Sequence, residues 1–189
     1  MKGDRGAVRV GRVPSASADA DALAFAESLI RAIPDYPEPG ILFRDITPLL
    51  ADAGALRTTI DALTAPFEGG FDVVAGVEAR GFLLAGAVAI ASGVGLVPVR
   101  KAGKLPRPAA SVSYALEYGE ATIEVHDDLA AGTRVLLVDD VLATGGTLAA
   151  AHQLFAELGV AVVGTAVLME IEGLGRRDVV GDVHTVFRG

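Results

Sequence analysis

Between residues 71 and 169, short apolar runs alternate with stretches that repeat at helical spacing, and this rhythm narrows the possible folds more than any other feature. Phe71-Asp-Val-Val-Ala-Gly-Val77 reads as a strand, residues 81–92 as a helix and residues 95–100 as the next strand. Residues 134–138 form another strand, 147–158 a helix and 160–169 a further strand. Alternation of this kind marks parallel strands joined by crossover helices. Strands covered on both faces become near-continuous apolar runs, which accounts for their richness in valine. The expected fold class is α/β, a parallel sheet flanked by helices, with ligands gathered at the carboxyl ends of the strands.

The 189 residues suit one compact domain, and 51% of them are hydrophobic. Residues 81–99 carry no charge and approach the length of a bilayer span. However, Ser92-Gly93 and Gly95 interrupt the helical pattern and Pro98 follows, so the segment reads as a buried helix, a turn and a strand. The formal charge of −8 disfavours a general nucleic-acid binder, and neither a membrane nor a nucleic acid is expected as a partner. Cysteine is absent, which rules out a disulfide framework and thiolate chemistry and is compatible with a reducing cytoplasm.

Residues 1–18 mix Gly, Arg, Ala, Ser and Pro without periodicity and read as a disordered tail ahead of a single domain, 19–189. Asp19 or Asp21 can cap a first helix running to about Ala32. Ile33-Pro-Asp-Tyr-Pro-Glu-Pro-Gly40 is an ordered loop, and Pro48 can start a second helix reaching about Ala65. Residues 105–125 break the rhythm. Two extended pieces around Gly119 suggest a hairpin projecting from the sheet, with residues 103–113 as a lid that is mobile without ligand.

The strongest chemical signal is Val135-Leu-Leu-Val-Asp-Asp-Val-Leu-Ala-Thr-Gly-Gly-Thr147. An apolar strand ends in two carboxylates, and a turn then leads into a helix. Gly145 and Gly146 let backbone approach a ligand closely, the amides at the helix start favour an anion, and Thr144 and Thr147 add hydroxyls. This half reads as a phosphate cradle. Asp139 and Asp140 would repel a bare phosphate, but as pure acceptors they suit the hydroxyls of a vicinal diol. Phosphate plus diol describes a ribose 5-phosphate. The plainer alternative is an acidic pair and two glycines that serve only the turn.

Three further segments carry charge or aromatic area. Gly76-Val-Glu-Ala-Arg-Gly-Phe82 places Arg80 where its fork can meet phosphate oxygens, although a solvated arginine in a tight turn would look the same. Arg100, Lys101, Lys104 and Arg107 put four cations into eight residues of an acidic chain whose only other lysine is Lys2. In the proline-rich loop, Phe43 beside Arg44 can offer a stacking face and a cation, or Phe43 can be core. His126, His152 and His184 have no metal-ligand spacing, and neither a Walker loop nor GxGxxG is present.

The segment Asp-Asp-Val-Leu-Ala-Thr-Gly-Gly-Thr resembles the phosphoribosyl pyrophosphate motif of type I phosphoribosyltransferases, in a form similar to that of the adenine phosphoribosyltransferase family. The resemblance runs from about residue 27 to 172, with five motifs in the family's order. It implies that Asp139 and Asp140 hold the ribose hydroxyls, and that Ala143, Thr144, Gly145, Gly146 and Thr147 hold the 5-phosphate. Glu78, Ala79, Arg80 and Gly81 match the pyrophosphate loop, with a cis peptide between Glu78 and Ala79. Lys101 and Lys104 match lysines that face pyrophosphate. Tyr114-Ala-Leu-Glu-Tyr-Gly119 matches the lid signature, in which Glu117 is the candidate acid/base and Tyr118 a substrate contact. Leu42, Phe43 and Arg44 match the segment of a small N-terminal hood that binds adenine.

By this resemblance the reaction joins adenine to the ribose of phosphoribosyl pyrophosphate and releases pyrophosphate. Asp139, Asp140, Arg80 and Glu117 carry the chemistry. Mg²⁺ would arrive on the pyrophosphate, touched by Asp139 or Asp140 through water, with no site made by protein alone. A homodimer and a cytoplasmic setting are implied as well. Three other readings remain: the same fold acting on guanine, xanthine or orotate; a non-catalytic sensor of phosphoribosyl pyrophosphate; and a plain phosphate-binding α/β domain.

Overall fold

The computed structural model describes residues 16–116, 119–174 and 177–189. By its contacts the chain divides into two compact units, Met1–Thr58 and Thr59–Gly189.

Within the first unit, helix α1 spans Ala16–Ser28. The expected tail lies outside the described residues as far as residue 15; its last three positions, 16–18, are helical. Asp19 therefore sits inside the first turn rather than capping it, where a carboxylate still meets the positive end of the helix dipole. The helix stops at Ser28, four residues short of Ala32, because strand β1 (Arg31–Pro34) is drawn into an antiparallel pair with β2 (Leu42–Asp45). The proline-rich loop closes this pair. Its Asp35 carboxylate accepts the Gly40 N–H at 2.8 Å, and Asp35 itself has a φ of 56°.

The helix expected over 48–65 is two helices, α2 (Thr47–Ala51) and α3 (Ala53–Thr64), followed by a 3₁₀ turn at Ala65–Phe67. Asp52 is the reason. It adopts extended backbone (φ −96°, ψ 118°) and its carboxylate accepts the Ala55 N–H at 2.8 Å. It thus ends one helix and caps the next.

The second unit is built on a seven-stranded sheet. Its strands are β3 (Val73–Val77), β4 (Gly95–Lys101), β5 (Ala110–Leu116), β6 (Gly119–Val125), β7 (Arg134–Leu142), β8 (Ala161–Glu170) and β9 (His184–Arg188). Their order is β5-β6-β4-β3-β7-β8-β9. The five strands from β4 to β9 run parallel, while β5 and β6 are antiparallel. Helix α4 (Gly81–Ser92) links β3 to β4, and α5 (Gly146–Glu157) links β7 to β8.

Every residue of β3 is buried, as the valine-rich run requires. On one face Val73, Ala75 and Val77 join Val135 and Leu137 in a core with Leu148, Leu154 and Phe155 of α5. On the other face α4 lies so near that a Cβ built on Gly76 would come within 2.6 Å of the Ala85 Cβ. The uncharged run of residues 81–99 is accordingly α4, a left-handed turn at Gly93 and β4. No described helix is long and apolar enough to cross a membrane.

The hairpin is not separate from the sheet. Strand β6 pairs with β4 through Arg100↔Glu124 and Lys101↔Ile123, so the arm extends the sheet edge. Residues 110–113 of the expected lid belong to β5, and Val112 is buried. This leaves residues 102–109 as the connecting loop. Strand β9 and a short helix α6 (Arg177–Val180) have no counterpart among the elements expected from sequence. Arg177 ties them together by bonding Glu170 on β8, the Val183 carbonyl at 2.7 Å and Thr185 on β9.

Candidate active site

Three parallel strands end side by side, and each hands its next residues to one cavity. Strand β3 leads into Glu78-Ala79-Arg80, β4 ends at Lys101, and β7 carries Asp139 and Asp140 before the Thr144-Gly145-Gly146 turn. Arg80, Lys101, Asp139, Asp140 and Thr147 all line a cavity of about 390 Å³. A smaller hollow of about 70 Å³ adjoins it, bounded by Asp139, Val141 and Ala143 through Leu148.

The turn takes this shape because Gly145 adopts φ 79°, a left-handed conformation that disfavours a side chain, immediately before α5. The first amides of α5 therefore open toward the hollow, the arrangement that binds phosphate at helix starts. A Cβ on Gly146 would approach the Tyr114 ring to 3.3 Å, so the arm and the turn meet at that glycine. The Tyr114 hydroxyl lies 3.0 Å from the Thr147 hydroxyl. Tyr114 stands in the hairpin signature but is not among the site residues expected from sequence. Its signal is the two-residue period that places it on the same strand face as buried Val112.

Strand β7 runs on through the acidic pair to Leu142 instead of ending before it, with Asp139 registered against Val167 and Asp140 lying between that pair and Val141↔Met169. Asp139 is 9% exposed and Asp140 7%. Asp139 Oδ1 accepts the Asp140 backbone N–H at 2.8 Å. Burial, and then the neighbouring Asp140 charge, push the Asp139 carboxyl well above the usual range. Arg80 Nη2 lies 2.7 Å from Asp140 Oδ2, a close ion contact whose alignment falls short of a hydrogen bond. The two carboxyls thus differ in environment, one deep beside backbone and one against a guanidinium. Gly81 allows this closeness: a Cβ there would meet Asp139 Oδ1 at 2.9 Å and the Val138 carbonyl at 3.1 Å.

Glu78 is the junction of the basic segment. Its carboxylate accepts Lys104 Nζ at 2.6 Å and the Lys101 backbone N–H at 2.9 Å, with Arg100 Nε at 3.5 Å. The Arg100 guanidinium also stands 5.9 Å over the Phe82 ring. The Glu78–Ala79 peptide is cis, as the resemblance implied.

Leu42, Phe43 and Arg44 sit together on β2 in the first unit, with the Phe43 ring edge-on to Tyr36 at 5.1 Å. Glu117 and Tyr118 lie outside the described residues. His152 bonds the Thr165 hydroxyl at 2.8 Å, and His184 reaches the Ala62 carbonyl at 2.9 Å. Among the described residues no group of three or more acidic or histidine side chains is arranged to hold a metal.

A parallel sheet edge with a phosphate-sized turn, an acidic pair and converging cations defines a phosphoribosyl-transfer fold, and the phosphoribosyl transferase domain family matches residues 47–185. The chain belongs to that family, in its adenine phosphoribosyltransferase branch. It is 60% identical over 153 residues to the adenine phosphoribosyltransferase of Renibacterium salmoninarum, covering 80% of this chain and 84% of that one. The crystal structure of adenine phosphoribosyltransferase from Rhodothermus marinus superimposes with a TM-score of 0.85 at 48% identity, over 90% of this chain and 99% of that one. The Saccharomyces cerevisiae enzyme, complexed with an imino-altritol bisphosphate and adenine, gives 0.84 at 36% identity, over 88% and 99% of the two chains.

Proposed function

We propose that this chain is an adenine phosphoribosyltransferase, moving the 5-phosphoribosyl group of phosphoribosyl pyrophosphate onto adenine to give AMP and pyrophosphate. The observation that carries this reading is the single sheet edge where an anion hollow, a buried acidic pair and Arg80 with Lys101 converge. The yeast relative, complexed with adenine and a bisphosphate, supports the same ligand pair. The role is purine salvage.

In the reaction a bond forms between adenine N9 and C1′ of the ribose. The C1′–oxygen bond to pyrophosphate breaks, and N9 gives up its proton. Positive charge grows on the ribose ring and negative charge on the leaving pyrophosphate. Asp139 and Asp140 hold the ribose hydroxyls and stabilise the first, while Arg80, Lys101 and Lys104 stabilise the second. Glu78, Ala79 and Gly81 shape the pyrophosphate loop, and Ala143 to Thr147 hold the 5-phosphate. Glu117 serves as acid/base toward the purine and Tyr118 contacts substrate. Leu42, Phe43 and Arg44 bind adenine, Phe43 by stacking.

Asp139 and Asp140 offer the hard oxygen donors that Mg²⁺ prefers, and Asp140 Oδ2 is buried without a hydrogen bond. Mg²⁺ carried on the pyrophosphate and reached from this pair through water would draw off charge from the leaving group. The working form is a cytoplasmic homodimer, with residues 19–189 as one catalytic domain and its hood.

Base choice tests the reading. Stacking on Phe43 is indifferent to which purine is present. Backbone carbonyls of the proline-rich loop welcome the adenine amino group and leave an oxo group facing acceptors. An unpaired buried polar group costs about 1–3 kcal/mol, and a hydrogen-bonding site discriminates more strongly still. With adenine, hypoxanthine and guanine competing at equal concentration, AMP should dominate. IMP or GMP formed as fast as AMP would reject the adenine assignment.

A further inference from the structure

A site for a polyanion holds a carboxylate among its own cations. The Glu78 side chain is only 9% exposed, yet it binds Lys104 Nζ, the Lys101 N–H and, more loosely, Arg100. Nothing in the transfer reaction requires a negative charge beside the pyrophosphate, and like charges brought together there would repel. Burial pushes the Glu78 carboxyl up, but the Lys104 hydrogen bond, the Lys101 amide and the Lys104 and Arg100 charges together bring it below the usual glutamate value. It is therefore ionised at neutral pH. In the same cavity Asp140 makes an ion contact with Arg80 at 2.7 Å.

We infer that Glu78 is a positioning residue that acts as an internal counter-ion, holding Lys104 in place of the pyrophosphate and surrendering it when pyrophosphate binds. This rests on the reading that Lys101 and Lys104 face the pyrophosphate. The two contacts of Glu78 have separate uses. The Lys101 N–H fixes the end of β4 and persists. The Lys104 ammonium is half-exposed on a flexible stem and is free to swing from one anion to the other. Binding then becomes an exchange of anions rather than a simple gain. Affinity for pyrophosphate is lowered by the cost of parting Lys104 from Glu78, which eases release of the product. The same pairing holds the Lys104 side chain beside Glu78 at the end of β3.

The test uses the full chain and inorganic pyrophosphate with Mg²⁺. Glu78→Gln keeps an oxygen for the Lys101 N–H and removes only the charge. Calorimetry should find pyrophosphate bound roughly 10-fold more tightly by this variant than by the wild type, with a steeper salt dependence. In turnover, kcat should fall while KM for phosphoribosyl pyrophosphate falls too. Equal or weaker pyrophosphate binding by a folded Glu78→Gln protein overturns the inference. A second readout needs no change at position 78. The chain has three lysines, at positions 2, 101 and 104, so ¹⁵N signals of the lysine Nζ atoms are few, and Lys104→Gln identifies the relevant one. That signal should move when wild-type protein is saturated with pyrophosphate, and an unmoved signal overturns the exchange. Failure of the wild type to bind pyrophosphate at all is a different result, which removes the reading of the basic segment on which the inference stands.

Discussion

The Tyr114 hydroxyl stands 3.0 Å from the Thr147 hydroxyl, joining the sheet-edge arm to the turn that forms the anion hollow. A neutral hydrogen bond of this kind is worth about 0.5–1.5 kcal/mol net. Tyr114→Phe keeps the ring against Gly146 and removes only the bond. KM for phosphoribosyl pyrophosphate should rise by roughly 2- to 10-fold, with little change in Tm. Unaltered steady-state kinetics would mean that the contact has no part in holding the phosphate.

Asp140→Asn should lower kcat by about 10²-fold or more, since it removes an acceptor where charge develops and also the partner of Arg80. Glu120→Gln, on the exposed side of β6 opposite Ala115, should stay within about 3-fold of wild type, as exposed charges contribute little. The two variants are compared in one assay under saturating substrates. Similar losses in both would make the acidic pair structural.

Gly76→Ala should destabilise the fold by about 1–3 kcal/mol, the usual cost of overpacking. Its Cβ would come within 2.6 Å of the Ala85 Cβ and 2.9 Å of the Gly81 carbonyl oxygen, neither of which is a flexible side-chain end. Because the strain falls on the start of α4, adjoining Arg80, activity should drop with it. Urea denaturation gives the first quantity and turnover the second. A fully stable variant would mean that α4 can shift outward at no cost.

Asp72 and Arg134 test the opposite edge, where β3 and β7 begin. Arg134 Nη2 lies 2.6 Å from Asp72 Oδ1, and its backbone N–H bonds Oδ2 at 3.0 Å. The side-chain hydrogen bond from Arg134, helped by its backbone N–H, lowers the Asp72 carboxyl from 3.8 to about 2. A depressed folded-state value means that the contribution is complete above 3.8 and fades as pH falls through about 2. Asp72→Asn should therefore lower Tm modestly at pH 6, with the difference narrowing below pH 4, and kcat should not change. A Tm difference independent of pH would mean that packing, not charge, is lost.

Much of this architecture is legible in the amino-acid sequence. The β3, α4 and β4 segments follow from the valine-rich run, the uncharged stretch and the glycine at its end, all local signals. The break at Asp52 is not legible, because an aspartate fits a helix surface as readily as it caps a new one, and only its backbone conformation decides. Strand β9 and α6 depend on Arg177 reaching Glu170 and Thr185, contacts that no local period reports. At the site, Asp139, Asp140 and Arg80 stand out through charge at strand ends and the family resemblance. The Glu78 contacts with Lys101 and Lys104 span 23 and 26 residues of chain, and the pairing of β3 with β4 creates them.

The arm meets the sheet at a narrow seam. Strands β7 and β8 share eight registered pairs, whereas β4 and β6 share two, supplemented by the Ala102 N–H to the Thr122 carbonyl. Those two pairs involve Arg100 and Lys101, from the segment that gathers around Glu78. Part of the arm's attachment to the sheet therefore runs through Lys101, a residue proposed to face the pyrophosphate, while the rest lies in the packing of Val112, Ile123 and Val125 in the core.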